Sequence, residues 1–237
     1  MQNGMCLPML ADIFGQSKTI SCIVGWGSTV HNIGELEITG DGNFIIGMLG
    51  NKNTPQLSSL QDLLNTIFPT KISTNIIGDI YAKLLINACI TTLGSICGLK
   101  LGGMLSSKKI RNIAIEIMRE GIAVSNAMNC KVEVFGNKLN YYKFLSGSGL
   151  YHDLRRHITI RAIGVKYRRL KSSSLYSIEK GKKSEIEFLN GYIMSAGKKY
   201  NVATPVNAKI TEMINEIEMG KRTISLKNFD DDFFKDY

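Results

Sequence analysis

Residues 79–91 read DIYAKLLINACIT. Almost every position is apolar or small, yet Asp79, Lys83, Asn87 and Thr91 recur every fourth residue. That period is helical and sets the four polar side chains along one slightly drifting stripe. Lys83 lies among Ile80, Leu84, Leu85 and Ile86, on a helix apolar nearly all round, which is the pattern of a segment buried on most faces. Two readings stand open from periodicity alone. The stripe is either the water face of an amphipathic helix, with Lys83 paired to Asp79, or the wall of a cleft in which Lys83 is a general acid and Asn87 orients a carbonyl or carboxylate.

Around this helix the chain shows two regimes. Residues 1–50 are rich in glycine and β-branched residues. KTISCIVGW (18–26) reads as a strand, and GELEITGDGNFIIGML (34–49) as two strands joined at the Asp41-Gly42 turn signal. QLSSLQDLLNTI (56–67) carries a helical period closed by Pro69. Helical patterns then dominate, over about 76–97 and 105–128, and from starts near Ser184 and Thr204. SEIE at 184–187 predicts a capping box with Ser184 as N-cap and Glu187 at the third helical position, and TPVN at 204–207 predicts Thr204 as N-cap. The fold class expected is α/β followed by all-α, with domains at 1–73 and 74–237.

Composition narrows the function. At 237 residues, 44% hydrophobic and 21% charged, the chain has the makeup of a globular protein. No uninterrupted apolar run approaches the ~20 residues of a membrane span, and MQNGMCLPML lacks a basic leader region. Five cysteines without CxxC spacing fit reduced thiols and a cytoplasmic location. Three scattered histidines give no metal-ligand pattern. The charge of +9 concentrates in HDLRRHITIRAIGVKYRRLKSSS (152–174), read as a solvated helix face. No zinc finger or aromatic-interleaved basic ribbon supports nucleic acid. GWGSTV (25–30) lacks the third glycine of a dinucleotide loop and leads into strand pattern, so it reads as a turn between strands.

Four segments together resemble the ketopantoate reductase (2-dehydropantoate 2-reductase) family: QNG at 2–4, KLLIN at 83–87, SSSLYSIEKGKKSEIEFLNGYI at 172–193 and VATPVNAKI at 202–210. The resemblance implies a Rossmann-type NADP-binding domain followed by a helical, 6-phosphogluconate-dehydrogenase-like C-terminal domain, with the active site in the cleft between. It implies reduction of a 2-keto acid by NADPH, ketopantoate to pantoate on the route to pantothenate and coenzyme A. Lys83 takes the position of the general acid. Asn87 and Ser173 take substrate-binding positions, and Asn3 one near both nicotinamide and substrate. Glu185 stands beside the substrate hydroxyl and nicotinamide ribose, and Ser28 matches loosely a residue of the nicotinamide pocket.

The sequence departs from the family pattern at Thr91, Leu101 and Ser177, where the family commonly has asparagine, asparagine and aspartate. A different 2-keto acid is therefore an alternative substrate. The family's GxGxxG lies upstream of its QNG, whereas this sequence opens at MQNG. Residues 1–73 are thus expected to be the distal part of the Rossmann domain, without the cofactor's phosphate-binding half. A truncated product, a misplaced start or a partner polypeptide supplying that half would each account for it. The exposed sheet edge expected of such a remnant favours a homodimer or a protein partner, and a non-catalytic helical interaction module is the rival reading.

Overall fold

The computed structural model describes residues 4–40, 42–136 and 138–237. The chain divides into two compact units, Met1–Lys83 with Lys131–Leu139, and Leu84–Cys130 with Asn140–Tyr237.

In the first unit, helix α1 (Leu7–Phe14) precedes strands β1 (Ser21–Val24), β2 (Gly27–Asn32), β3 (Glu35–Gly40) and β4 (Phe44–Gly47). Helix α2 (Pro55–Asn65) and strand β5 (Thr70–Ile72) follow, and helix α3 (Ile76–Cys97) begins. The main sheet has the order β1-β4-β5, with β1 antiparallel and β5 parallel to β4, so that β4-α2-β5 is a βαβ unit. The strands read at 18–26 and 34–49 form, but β3 and β4 do not pair with each other. β3 pairs with β2 instead, Val30 opposite Leu36, while β4 pairs with β1, Val24 opposite Phe44. Burial explains the exchange. β4 is apolar on both faces and suits the middle of a sheet, whereas β3 is exposed along nearly its whole length. Gly34, at φ +83°, supplies the left-handed turn that β2–β3 needs. The Asp41-Gly42 turn signal involves Asp41, which lies outside the described residues.

The core of this unit is Leu7, Ile23, Ile76 and Ile80, with Met5, Ile45, Leu49 and Ile77 packed on it. α1, which contributes Leu7, is a helix that the sequence reading does not contain. It is eight residues long, with a proline in its first turn and no capping side chain. Helix α2 is ordinary by comparison: Thr54 caps it, accepting from the Leu57 amide at 3.2 Å.

The second unit is helical. It holds the rest of α3, then α4 (Leu101–Met104), α5 (Lys108–Ala127), α6 (Tyr141–Leu145), α7 (Leu150–Lys166), α8 (Ser173–Glu179), α9 (Asn190–Lys199) and α10 (Pro205–Glu218). α3 is long and apolar enough to cross a membrane by length and composition, but most of it is buried in the protein. Gly121 of α5 allows that helix to approach, since a Cβ there would fall 2.2 Å from Leu85 Cδ2.

Two helix starts differ from expectation. No capping box forms at 184–187. Ser184 Oγ accepts from the Ile186 amide, and its own amide is taken by Glu218 Oε1 at 2.7 Å. Glu187 instead accepts from Asn215, a 3₁₀ turn occupies Ile186–Phe188, and α9 starts at Asn190. α10 begins at Pro205 after Thr204 as expected, but the Thr204 side chain does not cap it. The cap comes from α5: Glu120 carboxylate oxygens accept from the Val206 and Asn207 amides at 2.8 and 2.9 Å. A carboxylate at a helix N-terminus is favourable, and here a distant residue supplies it.

The basic stretch is not simply a solvated face. Arg155 donates to the carbonyls of Lys143, Phe144 and Ser146. Arg156 is 1% exposed and donates to the carbonyls of Leu145, Ser146 and Gly147 and to Asp153 at 2.7 Å. These cations tie down the 145–149 connector.

Candidate functional site

The burial of α3 bears on one of the two readings of its stripe. Asp79 and Thr91 are buried and Lys83 and Asn87 half-buried, so the stripe is not an open water face. Nor is Asp79 devoted to Lys83. Its Oδ2 accepts from Ser73 Oγ at 2.5 Å, in the loop between β5 and α3. Burial pushes the Asp79 carboxyl above its ordinary range, while the Ser73 hydrogen bond and the Lys71 charge pull it back.

Lys83 Nζ donates to the Val24 carbonyl at 3.0 Å, at the end of β1. The ammonium is thus held at the C-terminal end of β1, the strand that runs antiparallel to the β4–β5 pair. Beside it on β1, burial raises the Cys22 thiol and the Lys83 charge acts in the opposite sense. The helix start that aims Lys83 is held by Asn75, which donates to the Lys131 carbonyl and to Glu133, and by Gly78, where a Cβ would lie 2.2 Å from that carbonyl.

Asn87 stands one turn beyond Lys83 on the same helix. Further along, hydroxyl chemistry turns inward. Ser172 Oγ, buried, donates to the Thr91 carbonyl at 2.6 Å, lies 3.0 Å from Ser95 Oγ and caps α8 by accepting from the Leu175 amide. Ser173, the next residue, is exposed at the first position of α8. The serine pair therefore divides into one hydroxyl bound into the core and one at the surface.

Glu185 is exposed and precedes the 3₁₀ turn, not within the first turn of an α-helix as the capping box would have put it. Ser28 is exposed on β2 opposite Ile38. Asn3 lies outside the described residues. Lys83 and Asn87 are brought onto one helix stripe; Ser173, Glu185 and Ser28 sit on separate elements.

Two asparagines not singled out from sequence organise the second unit. Asn190 Nδ2 donates to the Ala88 carbonyl at 3.2 Å and to Asn207 Oδ1 at 2.9 Å, and Asn207 Nδ2 donates to Glu120 Oε2 at 2.6 Å. Both asparagines are fully buried. Burial pushes the Glu120 carboxyl up, and the amide and side-chain donors of Asn207 and Val206 oppose this. The signal for them was their place in LNG and PVN, which carried the family resemblance without revealing a packing role.

The cofactor's phosphate half finds no fit among the described residues. Gly25 and Gly27 lead from β1 into the antiparallel hairpin, with no helix after them. The two strand-to-helix connections, 48–54 and 73–75, lack GxGxxG spacing.

Comparison with known proteins places this arrangement. The family described as ketopantoate reductase PanE/ApbA C terminal matches residues 75–218, more than half of the chain. A 2-dehydropantoate 2-reductase of Aquifex aeolicus (strain VF5) is 27% identical over 213 residues, covering 88% of this chain and 63% of the relative. The chain therefore spans less than two thirds of that relative's length. The crystal structure of a PanE/ApbA family ketopantoate reductase from Ralstonia eutropha JMP134 is similar with a TM-score of 0.74 at 22% identity, over 93% of this chain and 66% of that one. The complex of D-mandelate dehydrogenase with NADH is similar with a TM-score of 0.74 at 19% identity, over 93% and 70%. At these identities the structural likeness establishes the fold.

Proposed function

The chain belongs to the ketopantoate reductase PanE/ApbA family through its C-terminal region, and from that premise we propose that it serves the NADPH-dependent reduction of a 2-keto acid. Ketopantoate (2-dehydropantoate) is the leading substrate, with pantoate for pantothenate and coenzyme A as the product's destination. The observation that carries this reading is Lys83, half-buried on α3 and anchored at 3.0 Å on the carbonyl at the end of β1. A lysine so placed can give a proton to the keto oxygen as its carbon is reduced. Asn87, one turn on, suits the orientation of the keto acid, and the Ser173 hydroxyl and Glu185 carboxylate are the groups assigned to its carboxylate and hydroxyl. Asn3 and Ser28 complete the proposed set on the nicotinamide side.

In this reading residues 1–73 are the distal part of a Rossmann-type NADP-binding domain, and 74–237 the helical, 6-phosphogluconate-dehydrogenase-like substrate domain. NADPH is the reductant assigned to the whole enzyme, and its phosphates need residues beyond those described. The five free thiols support a cytoplasmic location. Thr91 and Leu101, both buried where the family commonly has asparagine, favour a related 2-keto acid as the second substrate candidate.

The test joins an upstream nucleotide-binding segment from a ketopantoate reductase to this chain and follows ketopantoate-dependent loss of NADPH. Lys83→Ala should lower kcat by about 10²–10⁴, the contribution of a general acid. Unchanged kcat would remove Lys83 from the role. A second reading, a non-catalytic interaction module, draws on the β2–β3 hairpin, where Val30, Ile33, Leu36 and Ile38 are each more than half exposed.

A further inference from the structure

His157, Arg161 and Gly164 share one side of α7 by helical spacing, and Arg168 follows two residues after its end. Glycines let α4 close on that side. A Cβ at Gly164 would stand 2.9 Å from Leu105 Cβ, and one at Gly102 would stand 2.7 Å from Arg168 Cβ. The Gly102 amide donates to the Arg168 carbonyl at 3.4 Å, which fixes Arg168 against α4. Here the second unit has a cavity of about 300 Å³, lined by Gly102, Leu105, Arg161, Gly164, Val165 and Arg168. Its cations are crowded. Arg111 donates to the Leu105 and Ser106 carbonyls at 2.7 and 2.8 Å, and Arg161 donates to the same Ser106 carbonyl at 3.3 Å. Burial, and then the Arg161 charge, hold Arg111 below its ordinary range. No carboxylate balances them. Among the described residues Lys108, Arg111, Arg161 and Arg168 take part in no ion pair, and Asp153 is bonded to Arg156. The first turn of α5 adds Lys108 where an acidic residue is favoured, and it has no acidic residue.

We propose that this cavity binds a small phosphate-bearing molecule, with Arg161 and Arg168 as the guanidiniums that grip the phosphate. Two guanidiniums gathered on one neutral carbonyl repel each other, and an anion between the cations relieves that repulsion. The planar fork of an arginine matches phosphate oxygens two at a time. A volume of about 300 Å³ is at the small end of ligand pockets and suits one or two phosphate groups on a short carbon skeleton, for which Leu105 and Val165 are the apolar wall. Single-stranded nucleic acid is the poorer occupant, because the lining holds no aromatic ring on which a base could stack. The site stands apart from the reductase reading: Lys83, Asn87, Ser173 and Glu185 do not line it.

Isothermal titration calorimetry of the full chain, in about 0.15 M salt to screen diffuse charge, tests this with inorganic pyrophosphate and glycerol 3-phosphate. At least one of them should bind at a single site with a Kd below about 1 mM. Arg161→Gln and Arg168→Gln should each weaken binding by about tenfold or more, the loss of a charge-assisted hydrogen bond. The circular dichroism spectrum should not change, because both side chains are exposed. Lys198→Gln, which removes the same charge from the exposed face of α9, should leave binding within about twofold. If an arginine variant does not fold, Val165→Glu sets a carboxylate in the lining from an exposed position and should give the same loss. A Kd above about 1 mM for both probes overturns the proposal, as does binding that Lys198→Gln weakens as much as Arg161→Gln. Binding of a single-stranded oligonucleotide or of phosphatidic acid vesicles, without binding of the soluble phosphates, overturns it equally.

Discussion

Lys83 and Arg156 are both cations on helices, drawn out of water, and they are held in opposite ways. Arg156 is 1% exposed and its guanidinium ends reach three connector carbonyls and Asp153, while its Nε is buried without a partner among the described residues. A guanidinium that never loses its proton is suited to such permanent fastening. Lys83 is half-buried, anchored at the end of a strand through a single-point ammonium. A lysine, unlike an arginine, can exchange its proton. Burial of a cation therefore does not by itself signal catalysis; the kind of group decides what it can do.

The sharpest way to break the comparison is to give Lys83 the chemistry of Arg156. In the completed enzyme Lys83→Arg keeps the charge but not a transferable proton, so kcat should fall by about 10² or more. Near-normal steady-state turnover would show that Lys83 acts by charge alone. The converse change, Arg156→Met, strips the connector carbonyls of their donor. It should cost about 2–4 kcal/mol in chemical denaturation, and a loss below half a kcal/mol would mean water replaces the guanidinium.

The two serines at the head of α8 offer a smaller contrast of the same kind. Ser172→Ala removes a cap and two buried hydrogen bonds, for an expected ~1–2 kcal/mol. Ser173→Ala, at the surface, should leave stability within about 0.5 kcal/mol and instead raise KM for the keto acid. The reverse pattern would exchange their roles.

Local signals were read well where they were self-contained. The α3 limits, the α2 helix and the strand near residue 20 followed from period and from proline or capping residues that act within a few positions. The hairpin assignment at 34–49 failed because turn residues between two strands do not say which neighbours they pair with; β4's apolar faces made it central and drew it to β1 and β5. The capping box failed because Glu218, thirty-four residues on, took the Ser184 amide that Glu187 was expected to reach. α1 and the packing roles of Asn190 and Asn207 left no periodic trace at all.

The sequence by itself determined the class of the fold, the helix that carries Lys83 and Asn87, and the motifs that tie the chain to its family. These depend on residue type and on spacing within one element, which a linear pattern contains. Only the tertiary structure decided that Lys83 rests on Val24, that Asp79 is occupied by Ser73, that Arg155 and Arg156 turn inward, and that Arg161 and Arg168 line one cavity beside α4. Each of those depends on which distant backbone carbonyl, hydroxyl or helix comes within about 3–4 Å, and chain folding alone sets that distance.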